Sequence, residues 1–187
     1  MKNSKILALA LVSIFTFSSC SDDDPIAVNE EELITTVTTT LTSAGSPTVT
    51  MTSRDLDGDG PNLPVVTISG NLSISTTYTG AVTFLNESVT PTEDITKEVK
   101  EEGYEHQLFF QAPPAIGVFT YTDLDKNGKP IGLAFTLRTG SAATTGDIVV
   151  VLRHKPLKDA AGVAAGSITN AAGSTDASVT YRGVVLR

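Results

Sequence analysis

The chain's capacity for chemistry rests on two histidines, one cysteine and two runs of alternating acidic residues. His106 stands just before the apolar run Gln107-Leu108-Phe109-Phe110, and His154 follows the strand-like Ile148 to Arg153. Imidazole nitrogens ligate transition metals and haem iron. If the segments that end in these residues pack together, the pair forms a haem or transition-metal site. Glu105 then stands ready to hold an imidazole from behind. The competing reading makes both histidines ordinary residues at strand ends.

The aspartates point to a different ion. Asp55-x-Asp57-x-Asp59-Gly60 sets three carboxylates at alternate positions before a glycine that permits a tight turn, the opening half of a calcium loop. Asp123, Asp125 and Asn127, followed by Gly128, repeat the spacing. The glutamate that closes such a loop is missing, since Val66 and Ala134 occupy the corresponding positions. Calcium here would stiffen the end of a hairpin. Tight turns demand the same Asp, Asn and Gly residues, and Lys126 and Lys129 weaken the negative field of the second loop. No Gly-x-Ser-x-Gly elbow, phosphate loop or dinucleotide fingerprint occurs. With no Trp and four Tyr, stacking platforms for sugars are scarce. The chain therefore reads as a non-enzymatic protein.

The elements that must position these groups are strands. Thr, Val and Ile alternate from residue 34 to 41 and from 48 to 52, with Ala44-Gly45-Ser46-Pro47 between them as a turn. Further strands are expected at 64–69, 71–76, 79–86, 107–111, 117–122, 131–138, 146–153 and 177–186. Thr90-Pro91-Thr92-Glu93 has the form of a capping box and predicts a short helix from Asp94 to Glu102, with Ile95 and Val99 on its inner face. The Asp-Leu-Asp loops lie in matching surroundings, and residues 79–86 parallel 145–152. Two related halves, about 33–88 and 105–156, follow from this. The expected fold is all-β, an antiparallel β-sandwich of the Ig-like or Greek-key type, its halves joined by the helix. Residues 157–176, rich in Ala, Gly and Ser, read as a surface loop.

Thirteen basic residues against 21 acidic ones give a net charge of −8 over 187 residues, which argues against nucleic acid as a partner. The N-terminus is a separate unit. Lys2 and Lys5 precede an apolar run, Ile6 to Phe17, that is too short to span a bilayer comfortably. Phe17-Ser18-Ser19-Cys20 then resembles the lipobox of bacterial lipoproteins, which implies a signal peptide over 1–19 and acylation of Cys20. Ser21-Asp22-Asp23-Asp24 looks like the acidic signal that sends lipoproteins of Bacteroidota to the cell surface. Residues 20–32 would form the acylated cysteine, export signal and acidic linker, and 33–187 the folded domain. Beyond Cys20, eleven basic residues face 21 acidic ones, a charge of −10.

These features, with Asn29-Glu30-Glu31-Glu32, the 55–62 loop, Glu105-His106-Gln107 and Leu152-Arg153-His154, resemble a family of small flavobacterial surface lipoproteins. Its members are often labelled type 1 periplasmic binding fold superfamily proteins. That label implies alternating βαβ units, whereas one helix is legible here, so the β-rich reading is kept. The resemblance implies attachment to the outer-membrane bilayer through N-terminal acyl chains, facing the exterior. It also implies an accessory, ligand-capturing role beside a TonB-dependent receptor. A calcium-stabilised structural or adhesive module is the alternative.

Overall fold

A computed structural model of the chain describes residues 33–58 and 60–187. Two units divide the chain after residue 30, and all described residues belong to the second. Cys20, Ser21, Asp22, Asp23, Asp24 and Asp59 lie outside the described residues.

Alternating Thr and apolar residues produce strands wherever they occur. β4 (Thr77–Asn86) buries every second side chain, among them Tyr78, Val82 and Phe84. Gly80 continues that inward row because the Phe135 ring lies against it, so close that a Cβ would fall 2.2 Å from the ring. β4 pairs with β1 (Thr36–Ser43), and β1 in turn with β2 (Ser46–Arg54). β3 (Val65–Ile68) continues beyond β2. On the other side of β4 lie β8 (Ala134–Thr139) and β7 (Gly117–Tyr121), giving the order β3-β2-β1-β4-β8-β7. β6 (His106–Gln111), β9 (Thr144–His154) and β10 (Ser174–Leu186) form a second antiparallel sheet in the order β10-β9-β6. Both sheets are open, and the fold is the expected all-β sandwich, with one helix among the described residues.

The layers share one core. Leu41, Met51, Phe84, Phe135 and Leu137 of the larger sheet meet Leu108, Ile148, Val150, Leu152 and Tyr181 of the smaller one. The Tyr181 hydroxyl crosses the core and donates to the Val37 carbonyl at 3.2 Å. Burial pushes its pKa up to about 12.

Three expectations change. The helix α1 spans Ile95–Glu101 with Asp94 at its N-cap. Glu93–Asp94 form a two-residue strand, β5, on Asn86 and Leu85 of β4. Backbone pairing with a long strand outweighs the capping box at Thr90, though Ile95 and Val99 are buried as expected. The segment 71–76 is not a strand; Leu72 makes one bridge to the end of β10. The half-repeat is preserved only in part. β1–β4 corresponds to β6–β9 and β2–β3 to β7–β8, but β6 and β7 lie in different sheets whereas β1 and β2 pair. Ala112-Pro113-Pro114-Ala115 lies between β6 and β7, and prolines cannot continue a ladder.

Of residues 157–176, expected as a surface loop, 174–176 belong to β10, and the chain from 155 to 173 is a strap over the outer face of the smaller sheet. Val163 and Ala171 pack on Phe109 and Val151 as a second apolar cluster. The Gln107 amide donates to the Val163 carbonyl at 2.7 Å. The Lys158 ammonium, 6% exposed, reaches through to the Gly103 carbonyl at 2.5 Å, the Pro130 carbonyl at 2.8 Å and Asp125 Oδ2 at 2.8 Å. Burial acts to raise the Asp125 pKa, but the Lys158 ammonium and the Lys129 and Asn127 amides outweigh it and hold the carboxyl below its ordinary value of 3.8. Lys158→Ala strands that buried carboxylate and should cost about 3–5 kcal/mol in urea unfolding. The Asp125 contribution is complete above its ordinary value and is lost as pH falls below it. The wild type should therefore lose stability below about pH 4 more steeply than K158A. A K158A loss under about 1 kcal/mol would show that the strap is held by its apolar cluster alone.

Candidate functional site

Of the two aspartate loops, the second turns its acids on the chain itself. Asp123 accepts the Gly132 amide at 2.8 Å and the Ala134 amide at 3.1 Å. Asp125 Oδ1 accepts the amides of Asn127 and Lys129 at 2.8 and 2.9 Å, and its Oδ2 faces Lys158. Of Asp123, Asp125 and Asn127, grouped by spacing as a calcium set, Asp125 thus takes the strap's ammonium, Asp123 takes backbone amides and Asn127 donates its own amide to Asp125. Lys126 lies over the Tyr104 ring, 3.4 Å from its centroid, and Lys129 pairs with Asp159. In the first loop Asp57 accepts the Asn62 side-chain amide at 2.7 Å and its backbone amide at 3.2 Å. Those bonds lower its pKa. Asp55 differs: its Oδ1 is buried and meets no hydrogen-bond donor.

The histidines do come together. β6 and β9 pair so that His106 stands directly opposite His154. In β6, His106 and Leu108 point between the sheets while Gln107 and Phe109 point under the strap. The same alternation in β9 turns His154 inward with Leu152. The rings touch, centroids 4.8 Å apart and planes tilted by 42°, and both residues are buried.

A third group comes from β10. Ser174 pairs with His154 and Thr175 with Arg153, but the next partner of β9, Leu152, faces Ala177. Asp176 is the extra residue of a bulge, a device that re-aims a side chain. It directs the carboxylate inward, 3.6 Å from His106 Nε2 and 3.7 Å from His154 Nδ1, with the side chain 6% exposed. Two neighbours set the bulge. The Arg153 guanidinium donates to the carbonyls of Ala172 and Gly173 at 2.7 Å and to the Thr175 hydroxyl at 2.5 Å. Gly173, at φ +71°, passes so near the His154 carbonyl that a Cβ would lie 2.1 Å from its oxygen.

Each imidazole is oriented from behind. His106 Nδ1 lies 3.2 Å from the Glu102 carbonyl, which can only accept, so Nδ1 carries the proton and Nε2 presents its lone pair to the cluster. His154 Nε2 lies 3.5 Å from Glu105 Oε2, which also faces Lys155 at 3.5 Å. A carbonyl or carboxylate behind a ligating histidine is the usual support of a metal site. Ligand nitrogens and oxygens about 2.1 Å from a tetrahedral ion stand roughly 3.4 Å apart; the two imidazoles lie 3.6 and 3.7 Å from different oxygens of Asp176, and the ligand atoms as a set, within 4.8 Å of one another, would draw together around one ion. The donor set suits a divalent transition ion and leaves a coordination position open. It does not suit a porphyrin held between the two histidines, because rings in contact leave no space for the macrocycle.

Glu105 and both histidines are legible in the sequence, whereas Asp176 is not. The available signal is one acid among Ser, Thr and Ala at the start of the closing strand, and a bulge leaves no mark in hydropathy.

Fold and site together define an all-β sandwich protein with a buried two-histidine, one-carboxylate cluster at the end of its smaller sheet. Comparison with protein families, with curated proteins and with solved structures finds no match to the chain.

Burial holds the His106 pKa below its ordinary 6.5, against the opposing pull of the Glu102 carbonyl. Nitrogen-detected NMR of the metal-free protein at pH 7 should show His106 neutral, protonated on Nδ1, and charging only below about pH 6.5. An imidazolium at pH 7, or the opposite tautomer, would overturn this assignment.

Proposed function

We propose that the protein is a lipid-anchored, non-enzymatic surface protein that captures a divalent transition-metal ion at His106, His154 and Asp176. It would serve as an accessory subunit to a TonB-dependent outer-membrane receptor. The observation that carries the metal reading is that the chain's only two histidines are cross-strand neighbours, sharing a buried carboxylate. Burial supports it further: a histidine kept neutral at physiological pH is a ligand without first losing a proton. The anchoring half rests on Cys20 and the acidic residues after it. Among the described residues no helix is long and apolar enough to cross a membrane.

The alternative of a calcium-stabilised structural or adhesive module rests on the first loop alone, since the acids of the second already hold Lys158 and backbone amides.

The test is calorimetric titration of the chelator-stripped full chain in detergent with Zn²⁺ and Co²⁺. One ion should bind, with His154→Ala and Asp176→Asn each weakening it at least about 100-fold and Glu105→Gln by about 10-fold. At a hundredfold excess over Kd the ion should add about 2.7 kcal/mol of stability, and Ca²⁺ should leave the melt unchanged. Wild-type protein that binds neither metal, or binds it equally well without His154, would refute the capture site. Recovery of the chain from solubilised outer membranes with no receptor beside it would refute the accessory role.

A further inference from the structure

Capture at a buried cluster raises the question of how an ion reaches it. A cleft of about 470 Å³ opens between the sheets. Thr35, Ser53 and Asp55 line one wall, and Asp176 and Ser178 the other. Asp176 therefore belongs both to the cleft and to the cluster, so the cleft ends on a metal ligand. Across from it, Asp55 Oδ1 is buried without a hydrogen-bond donor. Such an arrangement is costly unless something in the cleft supplies one. The Asp55 amide donates to the Thr35 carbonyl at 2.7 Å, which fixes the residue at the cleft wall. Asp57 lies beside Asp55, its own carboxylate taken up by the Asn62 amides, and leaves Asp55 Oδ1 without a donor.

We propose that this cleft is the access route for a hydrated divalent transition-metal ion, and that Asp55 is its transit ligand. The proposal rests on the capture reading above. Coordinated waters are strong donors, and they satisfy Asp55 Oδ1 while the ion keeps its shell. Six waters at about 30 Å³ each occupy roughly 180 Å³, well within the cleft. Leu33, Ile34, Val37 and Val179 form apolar stretches of the walls, and walls of low dielectric concentrate the field between two acids. The ion then exchanges water for Asp176 and, beyond it, for the two imidazoles. No bond other than these coordinate bonds forms or breaks.

A transit ligand alters rates and leaves affinity nearly untouched, whereas a structural residue or a final ligand does not. Stopped-flow binding of Co²⁺ to the full chain, read by its visible absorption, separates these cases. Asp55→Asn should slow both association and dissociation about 10-fold and hold Kd within about twofold. Asp55→Glu should restore most of the rate, and Asp57→Asn, whose carboxylate already serves Asn62, should change it little. Wild-type association should also slow several-fold between about 20 and 500 mM salt. This measurement stands even if D55N does not fold. Unchanged association in D55N, a loss of affinity at unchanged association rate, or a salt-independent wild-type rate would overturn the route. Cobalt binding that fails in the wild type, or survives His154→Ala, would instead overturn the capture reading.

Discussion

The bulge at Asp176 is the constraint on which the site depends. Pairing in a sheet fixes the face of every side chain, and a shift of one residue reverses them all. β6 and β9 meet in a register that sets His106 against His154, which brings the two imidazoles together from backbone pairing alone. A regular β10 that turned Asp176 inward opposite Leu152 would turn Ala177, Val179 and Tyr181 outward. With Thr175 outward against Arg153 and Ala177 inward against Leu152, a residue between them belongs to neither row. The extra residue turns Asp176 inward without disturbing the row that runs on through Val179 and Tyr181 into the core. Arg153 holds this arrangement from the outer face through the carbonyls of Ala172 and Gly173. The guanidinium acts only by positioning, while the carboxylate it positions belongs to the cluster.

The strap gives the same sheet a second cover. Phe109 and Val151 face away from the sandwich core, and without residues 155–173 they would meet water, at roughly 2 kcal/mol each. Lys158 fastens the strap to the turn after α1 and to the loop between β7 and β8. The turn it grips, at Gly103, comes just before Glu105 and His106. Contacts that hold the strap therefore also steady the strand end that carries the cluster. The aspartate loop that resembles half of a calcium site completes this fastening with an internal cation.

Much of this architecture is legible in the sequence, since alternation of Thr with Val, Ile and Leu marks most strands and glycines and prolines mark their ends. Residues 71–76 show the limit: they alternate as a strand should, yet Leu72 finds only the end of β10, and propensity does not supply a partner. The capping box at Thr90 is a sound local signal overruled by pairing along β4. The Ala- and Gly-rich strap carries too few large apolar residues to announce that Val163 and Ala171 are fully buried. In the site, both histidines and Glu105 are visible because their types are rare or adjacent. Asp176 and Lys158 are hidden because their roles arise from a bulge and from a reach of 33 residues to Asp125. Tertiary geometry decides such residues, and a single sequence does not encode it in any window.

In the proposed capture site, two imidazoles and a carboxylate converge at the end of the smaller sheet. Burial favours the neutral form of His106, and its Nε2 faces the Asp176 carboxylate at 3.6 Å in surroundings that solvate charge poorly. Glu105 contributes a further charge only partly offset by Lys155, while the nearest well-buried ammonium, Lys158, is committed to Asp125. A structural polar cluster would ordinarily be assembled from paired donors and acceptors, or replaced by apolar residues at little cost. Under that proposal a divalent ion would be held by His106, His154 and Asp176 together. The burial that lowers the His106 pKa is also what makes its nitrogen available to that ion at neutral pH.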